Sequence, residues 1–387
     1  MADLRTMVAQ GRKRIGFLIG AGAAVSLPSP DGSGPLIPAV AGLTDRMLAK
    51  LNGEYGPVLA AIQSREPSGN VETILSRVRS LAGVIGEGQI DGLDGDGYAK
   101  LGQRICREIG EAVNVSLPKG ENPYRHLVNW IVGADRDHPV ELFTTNYDLL
   151  FEEAFEDVRA AYFDGFTGAR EPFFDPVTVA SNDLPARWTR LWKLHGSLGW
   201  KVNAADEVIR TGDRSCTHLI YPEHLKYDQT QKAPYSAFFD RLRAFLTTKD
   251  TLLIAIGFSF ADAHVSSRVD ESLAANPSAS VFAFQFQNLT KEVHACALAA
   301  KRPNFSVYAR DRAMINGVDG EWRAGEPLSR DWEPIRSTYL NTSDPNKPEF
   351  VLGDFTSLAR FLALSRSGQA FAAPLVPSPP PSPASAP

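Results

Sequence analysis

Glycines that could let the backbone approach a phosphate follow the first apolar run of the sequence. Gly20-Ala21-Gly22 comes directly after residues 14–19. Glycine lacks a Cβ, so a phosphate could lie close to the backbone and face the amides of the next turn. The strict dinucleotide fingerprint is incomplete, because Val25 stands where a third small residue is needed and Asp45 lies in a helical pattern. A tight turn without a ligand is the alternative.

An amide and a carboxylate follow the second run. The segment is Thr144-Thr145-Asn146-Tyr147-Asp148, at the carboxyl end of residues 140–145. In open α/β sheets, ligands bind at that edge, where Asn146 could orient a water or a ribose hydroxyl and Asp148 could accept a hydrogen bond. Asp148 could equally be the N-cap of a helix over 149–157. Both roles remain open.

A histidine ends the third strand-like segment, within Lys193-Leu194-His195-Gly196-Ser197. Gly196 permits a sharp turn that would leave the imidazole at the edge of the sheet. His is the side chain whose ordinary pKa lies nearest neutrality, so His195 is a candidate general base. The alternative is a buried histidine with a purely structural role.

The fourth candidate segment, from Gly257 to His264, lies between an apolar run and a helical pattern. Gly257 allows close approach, and Ser259 could bond a phosphate or ribose oxygen. Asp262 could serve the same ligand or simply cap the helix that follows. Each of the four segments is a weak signal alone, but together, each at the end of a strand, they point to one ligand site.

The elements that must position these residues alternate along the chain. Continuous runs rich in Val, Ile and Phe predict strands covered on both faces, and apolar residues at helical spacing follow several of them. The strands are expected at 14–19, 140–145, 251–256, 280–286 and 305–308, and helices at 149–155, 262–273 and 291–300. This pattern predicts an α/β fold with a Rossmann-like parallel sheet flanked by helices.

Between the first two strands the sequence shows only helical spacing, which predicts an all-helical insertion domain. Seven prolines after residue 373 predict a disordered tail. The expected division is 1–50 and 136–310 for the two parts of the Rossmann-like domain, 51–135 for the insertion, 311–370 for a C-terminal extension with a helix near 358–364, and 371–387 for the tail.

Composition excludes several classes of protein. Among 387 residues, 40 Lys and Arg against 45 Asp and Glu give a net charge of −5, which argues against direct nucleic-acid binding or binding to an anionic membrane. The longest apolar run has about ten residues, too short to span a bilayer. With no signal-peptide core at the N-terminus, a cytoplasmic protein is expected.

Metal binding is not expected. Cys106, Cys216 and Cys296 are far apart and form neither a disulfide framework nor a paired-cysteine zinc site. Asp91, Asp94 and Asp96 invite a calcium-loop interpretation, but their spacing fails the alternating-carboxylate pattern.

The four motifs, in this order over roughly residues 14–310, resemble the sirtuin family of NAD-consuming enzymes. The resemblance implies NAD as the substrate. It implies that the glycine motif contacts the NAD phosphates, that the second motif serves the nicotinamide ribose and amide, that the histidine is the catalytic base, and that the fourth motif binds the adenosine side. Carried over, the catalytic residues are Asn146, Asp148 and His195, and the NAD-binding residues are Gly20, Ala21, Gly22, Ser26, Thr145, Gly196, Gly257, Ser259 and Asp262.

The departures from sirtuin deacylases point to one branch of the family. The chain has no CxxC pair for a structural zinc, and the stretch 25–35 lacks the Asp-Phe-Arg triplet of the deacylases. Thr145 and Tyr147 stand where deacylases commonly have Gln and Ile. The chain is more similar to bacterial defence proteins that hydrolyse NAD when phage infection is sensed. By its length it resembles the subunit that assembles with a HerA-type hexameric ATPase, and a homo-oligomer is expected.

The expected activity is therefore NAD glycohydrolysis to ADP-ribose and nicotinamide, which depletes cellular NAD as antiphage defence by abortive infection. An NAD-dependent protein deacylase, a non-catalytic NAD-binding subunit and a redox dehydrogenase are the alternatives. The insertion and the loop 27–38 are expected to act as lids over the nucleotide.

Overall fold

The fold is seen in a computed structural model that describes residues 4, 7–8, 12–67, 69–214, 233–323, 325 and 336–364. Its strands are β1 (Arg14–Ile19), β2 (Glu141–Thr144), β3 (Tyr162–Phe163), β4 (Phe166–Thr167), β5 (Phe173–Phe174), β6 (Thr189–Lys193), β7 (Trp200–Val202), β8 (Val208–Arg210), β9 (Thr251–Ile256), β10 (Ser280–Phe284), β11 (Phe305–Tyr308), β12 (Arg312–Ile315), β13 (Val318–Glu321), β14 (Leu340–Asn341) and β15 (Glu349–Phe350).

The helices fall between these strands and, in one long block, between β1 and β2. They are α1 (Gly22–Val25), α2 (Val40–Arg65), α3 (Val71–Val84), α4 (Gly95–Val113), α5 (Pro123–Val132), α6 (Leu150–Asp157), α7 (Pro176–Ser181), α8 (Tyr235–Thr247), α9 (Ala263–Ala275), α10 (Val293–Lys301) and α11 (Phe355–Leu364). A 3₁₀ turn, Leu289–Lys291, precedes α10.

One sheet organises the fold, in the strand order β13-β12-β11-β10-β9-β1-β2-β6-β3. Seven neighbouring strands, from β11 to β3, are parallel, and β12 and β13 add an antiparallel edge. From β1 the chain continues on one side to β2, and it later returns to β9 on the other side. The order of the strands reverses there, and ligands bind at such a switch point in open α/β sheets. The strands β4, β5, β8 and β7 form a second, antiparallel sheet.

Both faces of the main sheet are covered, which explains why its central strands β1, β2 and β9 are buried at nearly every position. Successive side chains of β1 alternate between faces: Phe17 and Ile19 belong to one hydrophobic cluster and Leu18 to the other. The helices α2 to α6 and α11 cover the first face, and α8, α9 and α10 cover the second. The Phe17 ring meets Trp130 of α5 edge-on, with the centroids 5.8 Å apart. The insertion and the sheet therefore share one core.

The structure confirms the predicted α/β fold and its parallel sheet. The strand at 280–286 ends at Phe284, the helix at 291–300 begins at Val293, and the helix near 358–364 begins at Phe355. The helical block begins at Val40, so α2 crosses the boundary expected at residue 50. The proline-rich tail at 371–387, the last part of the C-terminal extension and Cys216 lie outside the described residues. No helix in the described ranges combines the length and apolar character needed to cross a bilayer.

Candidate functional site

The four motifs follow four adjacent strands. The strands β9, β1, β2 and β6 are neighbours in the sheet, and all four run in the same direction. Thr144 of β2 pairs with Lys193 of β6, so Asn146 and His195 each stand two residues beyond a paired position. Neighbouring strands lie about 4.8 Å apart, which brings these two side chains to the same edge of the sheet. The structure thus brings the predicted motifs together.

The glycines of the first and fourth motifs pack against each other. The Gly20 N–H donates to the Ile256 carbonyl at 3.0 Å, and the Gly22 N–H donates to the Gly257 carbonyl at 2.9 Å. A Cβ on Gly20 would lie 2.3 Å from the Gly257 oxygen, and one on Gly22 would lie 2.8 Å from the Gly257 Cα. Contact between the two backbones therefore requires glycine at these positions, independently of any phosphate.

Asn146 connects the second motif to the first. Its side-chain Nδ2 donates to the Gly20 carbonyl at 3.2 Å, and its backbone N–H donates to the Thr144 hydroxyl at 3.0 Å. That hydroxyl in turn donates to the carbonyl of Ile19 at 3.0 Å. Asn146 is buried, and its amide is held in one orientation against the end of β1.

Asp148 is buried at the start of α6, where its Oδ1 accepts the Leu150 N–H at 3.1 Å. The expected N-cap role is wrong, because Leu149 is the N-cap of α6 and has no side-chain cap; Asp148 instead closes a turn from residue 148 to residue 150. Burial raises the pKa of Asp148, opposed by the charge of Lys193. The Lys193 ammonium, itself buried, donates to the Asp148 carbonyl and lies 2.8 Å from Glu152 Oε1. This cation fixes the second motif to the end of β6.

His195 is paired with Asp262. His195 is 4 % exposed, and its Nε2 lies 2.9 Å from Oδ2 of Asp262. The Asp262 Oδ1 caps α9 by accepting the N–H groups of His264 and Val265 at 2.8 and 3.1 Å. Asp262, expected to bind NAD or to cap a helix, thus caps α9 with one oxygen and contacts the candidate base with the other.

The contact between His195 and Asp262 shifts the pKa of both side chains. Burial disfavours the charged imidazole, but the hydrogen bond and charge of Asp262, together with the charge of Glu72, outweigh it and raise the pKa of His195. Burial acts to raise the pKa of Asp262, yet His195 and the capped N–H groups lower it to about 2. The Asp262 carboxylate lies against Nε2, which leaves Nδ1 as the ring nitrogen available to accept a proton. His195 Nδ1 is buried and has no hydrogen-bond partner among the described residues.

The loop that carries Asp262 is strained and anchored. Phe260 has φ +60°, a conformation that costs a bulky residue about 1–3 kcal/mol. Its ring is 2 % exposed, with Phe258 and Phe305 centroids 4.9 and 5.0 Å away. The side chain of Gln285 donates to the Phe258 carbonyl at 2.9 Å. This packing holds the loop in the turn that directs Asp262 toward His195.

The other predicted residues line the same edge with less distinctive contacts. Ala21 precedes α1, and the Ser26 hydroxyl closes that helix by donating to the Ala23 carbonyl at 2.8 Å. The Thr145 N–H donates to the Ile19 carbonyl at 3.2 Å. Gly196 has φ +103°, as its turn requires, and Ser259 is exposed.

Two charged residues of this region were not predicted from the sequence. Lys193 was noted only as part of the histidine motif, although a lysine ending an apolar strand is a signal of a buried cation. Glu72 lies in the first turn of α3, and its charge contributes to raising the pKa of His195. Its position after Asn70 signals only a helix start. Across the described parts of the chain, no three His, Cys, Asp or Glu side chains form a group that could hold a metal ion.

The chain is similar to one family model and to solved structures. The family model of the SIR2-like domain matches residues 140–307, which include the second, third and fourth motifs but not Gly20–Gly22. A structure from work on the mechanism and regulation of Sir2 enzymes is 13% identical, with a TM-score of 0.34, and the match covers 74% of this chain and 84% of that one. A Sir2 homolog in complex with NAD is 15% identical, with a TM-score of 0.34, covering 76% and 86%. No curated protein is significantly similar to the chain. The SIR2-like match supports the expected sirtuin resemblance over residues 140–307.

Proposed function

We propose that this protein is an NAD glycohydrolase, which cleaves NAD to ADP-ribose and nicotinamide. The observation that carries the proposal is the pairing of His195 with Asp262 at the end of β6, beside Asn146, within a segment that matches the SIR2-like domain. A buried ring nitrogen without a partner among the described residues suits a site that must take up a proton from its ligand.

The reaction breaks the bond between the nicotinamide nitrogen and ribose C1′, and a water oxygen forms the new bond to C1′. Nicotinamide leaves as a neutral molecule with the electron pair, so little acid assistance is needed and the water must lose a proton. His195 accepts that proton at Nδ1, while Asp262 holds Nε2 and stabilises the imidazolium. Asn146, fixed against Gly20, is placed to orient the water or the ribose hydroxyls.

Residues at the same edge of the sheet would bind the phosphates and the adenosine part of NAD. The turns after β1 and β9 are the candidates for the phosphates and the adenosine side, since they adjoin Asn146 and Asp262. Glycohydrolysis is favoured over deacylation because the sequence has no CxxC pair to build the zinc module of the deacylases.

The test is chromatography of NAD incubated with the purified protein. His195→Ala and Asn146→Ala should each lower nicotinamide release by about 10²–10⁴-fold, the usual contribution of a positioned base. His294→Ala, which changes an exposed histidine of α10, is the matched control and should keep the wild-type rate.

Equal rates for wild type, His195→Ala and Asn146→Ala would refute the assignment. NAD consumption that requires an acetylated peptide would instead support a deacylase. Full recovery of NAD, with and without an ATPase partner, would support a non-catalytic NAD-binding subunit, and absorbance of a reduced nicotinamide would support a dehydrogenase.

We propose further that the activity serves antiphage defence in the cytoplasm, by NAD depletion, in a homo-oligomer that assembles with a HerA-type hexameric ATPase. Support comes from the motif resemblance and from the burial of His195, since a toxic hydrolase needs restricted access to its site. Cells that carry the chain and the ATPase should lose NAD and limit phage plaques, whereas cells with His195→Ala should do neither. Wild-type plaque numbers with the intact pair would refute the defence role.

A further inference from the structure

A groove lies on the first face of the main sheet, over β10 and β11. Its floor contains Phe282 and Phe284 of β10 and Ser306 and Tyr308 of β11, and Trp322 lines it as well. The volume is about 580 Å³, which falls among the usual volumes of ligand pockets. No charged side chain occurs among its described lining residues. This feature is termed the aromatic groove.

The aromatic groove is the less covered side of its two strands. β10 and β11 are parallel neighbours, and parallel strands are normally covered on both faces. On the second face, the side chains of Val281, Ala283 and Val307 are fully buried. On the first face, the rings of Phe282 and Tyr308 are only half-buried. A segment that covered these rings would remove apolar surface from water.

The rings of the groove are held by stacking. Trp322 stacks on Phe350, with the ring centroids 4.8 Å apart. The Tyr308 ring lies within 18° of the Trp322 plane, with its centroid 6.3 Å away. Ser280 and Ser306 also line the groove, and their hydroxyls can donate hydrogen bonds to carbonyl oxygens. Such a surface suits an apolar segment whose backbone carbonyl groups are unpaired.

The proline-rich tail has the matching chemistry. Four of its seven prolines are spaced three residues apart: Pro374, Pro377, Pro380 and Pro383. A polyproline II helix has three residues per turn, so these four would lie along one edge of it. That helix has no internal hydrogen bonds, and its carbonyl groups remain free to accept. No charged side chain follows Arg366 in the sequence, so the side chains of the tail are as uncharged as those of the groove.

The groove and the tail also agree in length. The five residues of β10, from Ser280 to Phe284, extend over about 13 Å. Prolines three residues apart in a polyproline II helix are separated by about 9 Å. The floor of the groove therefore has room for two successive prolines of the edge. Proline-rich segments bind to aromatic grooves in this way, because their conformation is largely fixed before binding.

The tail is long enough to reach the groove of its own chain. Phe350 stacks on Trp322, and the five residues that lead from it to Phe355 span at most about 18 Å. α11 then extends about 14 Å to Leu364, so Leu364 lies within about 32 Å of Phe350. The ten residues after Leu364, up to Pro374, can span about 36 Å. The first proline of the edge can therefore lie at the groove.

We propose that the proline-rich tail binds in the aromatic groove of its own chain as a polyproline II helix. The edge formed by the four spaced prolines packs on Tyr308 and Trp322, and the hydroxyls of Ser280 and Ser306 donate to carbonyl oxygens of the tail. The docked tail completes the cover of β10 and β11 on the first face. This inference goes beyond the proposed NAD hydrolysis and does not depend on it.

The test is fluorine NMR of the full chain with its tryptophans replaced by 5-fluorotryptophan. The sequence has six tryptophans, and the Trp322 resonance is assigned by its loss in Trp322→Phe. This resonance should shift when the chain is shortened to end at Ala373, because the prolines no longer lie against the ring. A synthetic peptide of residues 371–387 should restore the resonance when it is added to the shortened chain.

Proline replacements in the full chain test the edge. Alanine at all four spaced positions should move the Trp322 resonance to its place in the shortened chain. The matched control replaces the three other prolines of the tail by alanine, and it should keep the wild-type resonance. The spaced set is Pro374, Pro377, Pro380 and Pro383, and the control set is Pro379, Pro381 and Pro387.

A substitution in the groove tests the other side of the contact. Ser306→Phe fills the floor and should weaken binding of the peptide to the shortened chain by at least about tenfold. Ser64→Phe, which changes an exposed serine of α2, is the control and should leave the affinity for the peptide unchanged. Unchanged resonances of the other tryptophans would show that Ser306→Phe is folded.

An identical Trp322 resonance in the full and the shortened chain would overturn the inference, and so would equal shifts from the two sets of proline replacements. A shift that disappears on dilution would also overturn docking within one chain, and it would assign the groove to the tail of a second copy. NAD takes no part in these measurements. Failure of the docking therefore leaves the proposed hydrolysis standing, and failure of the hydrolysis leaves the docking standing.

Discussion

Replacing Gly257 by alanine tests whether the contact between the first and fourth motifs holds the site together. Gly257 has φ +65°, and a Cβ there would lie 2.4 Å from the Ala23 nitrogen and 2.8 Å from the Gly22 carbonyl carbon. Both are backbone atoms, which cannot move aside as a flexible side chain can. The left-handed conformation costs alanine about 1–2 kcal/mol. Crowding adds about 1–3 kcal/mol, so the expected loss in the free energy of unfolding is about 2–5 kcal/mol.

Gly317→Ala supplies the matched control. Gly317 has φ +74°, nearly the same conformation, but the nearest atom to its Cβ would be the Ala299 oxygen at 3.9 Å. It should therefore lose only the conformational cost of about 1–2 kcal/mol. Urea unfolding at pH 7 measures both variants, and equal m-values would show that the comparison concerns stability alone. Nicotinamide release should fall in Gly257→Ala, because a displaced Gly20 loop no longer orients Asn146.

Equal destabilisation by the two substitutions would refute the reasoning. It would mean that the turns after β1 and β9 separate easily, and that the glycines there serve something other than the contact between them.

Two other changes test the charged groups of the site. Asp262→Asn keeps a capping side chain on α9 but removes the charge beside His195, so the pKa of His195 should fall and the acid limb of the kcat/KM profile should move to lower pH. Asp262→Ala should in addition cost about 1 kcal/mol of stability through the lost cap, measured by urea unfolding. Lys193→Met leaves the largely buried Glu152 carboxylate without its cation and should cost about 3–5 kcal/mol at pH 7. Burial raises the pKa of Glu152, because the neutral acid is the form that burial favours. The stability of this variant should therefore rise as pH falls through that pKa. A loss of stability equal at pH 7 and pH 5 would contradict the pairing of Lys193 with Glu152.

The strands of the main sheet were predictable because both of their faces are covered. A strand such as β9 is buried at all six positions and therefore reads as a continuous apolar run. The strands β4 and β5 left no such signal, because two residues are too few to show an apolar run or an alternation. The hairpin of β12 and β13 was missed for another reason, since β13 is exposed throughout and reads as a polar loop.

The candidate site was predictable where a residue type combines with a position at the end of a strand, as for Asn146 and His195. The site was harder to predict where one residue has two roles. Asp262 before a helical pattern indicates a cap, and only the fold reveals that its second oxygen meets His195. Glu72 could not be found at all, because its effect on His195 depends on where α3 packs against α2.

Because the helices between β1 and β2 share one core with the sheet, they cannot be removed without exposing it. Phe17 in the middle of the sheet packs on Trp130, and Leu75, Leu101 and Ile105 belong to the same cluster. An independently folding domain would have its own hydrophobic core, whereas these helices complete the core of the sheet. Excision of the block would strip one side of the sheet to water, so a shortened relative would have to replace that covering before it could keep the histidine site.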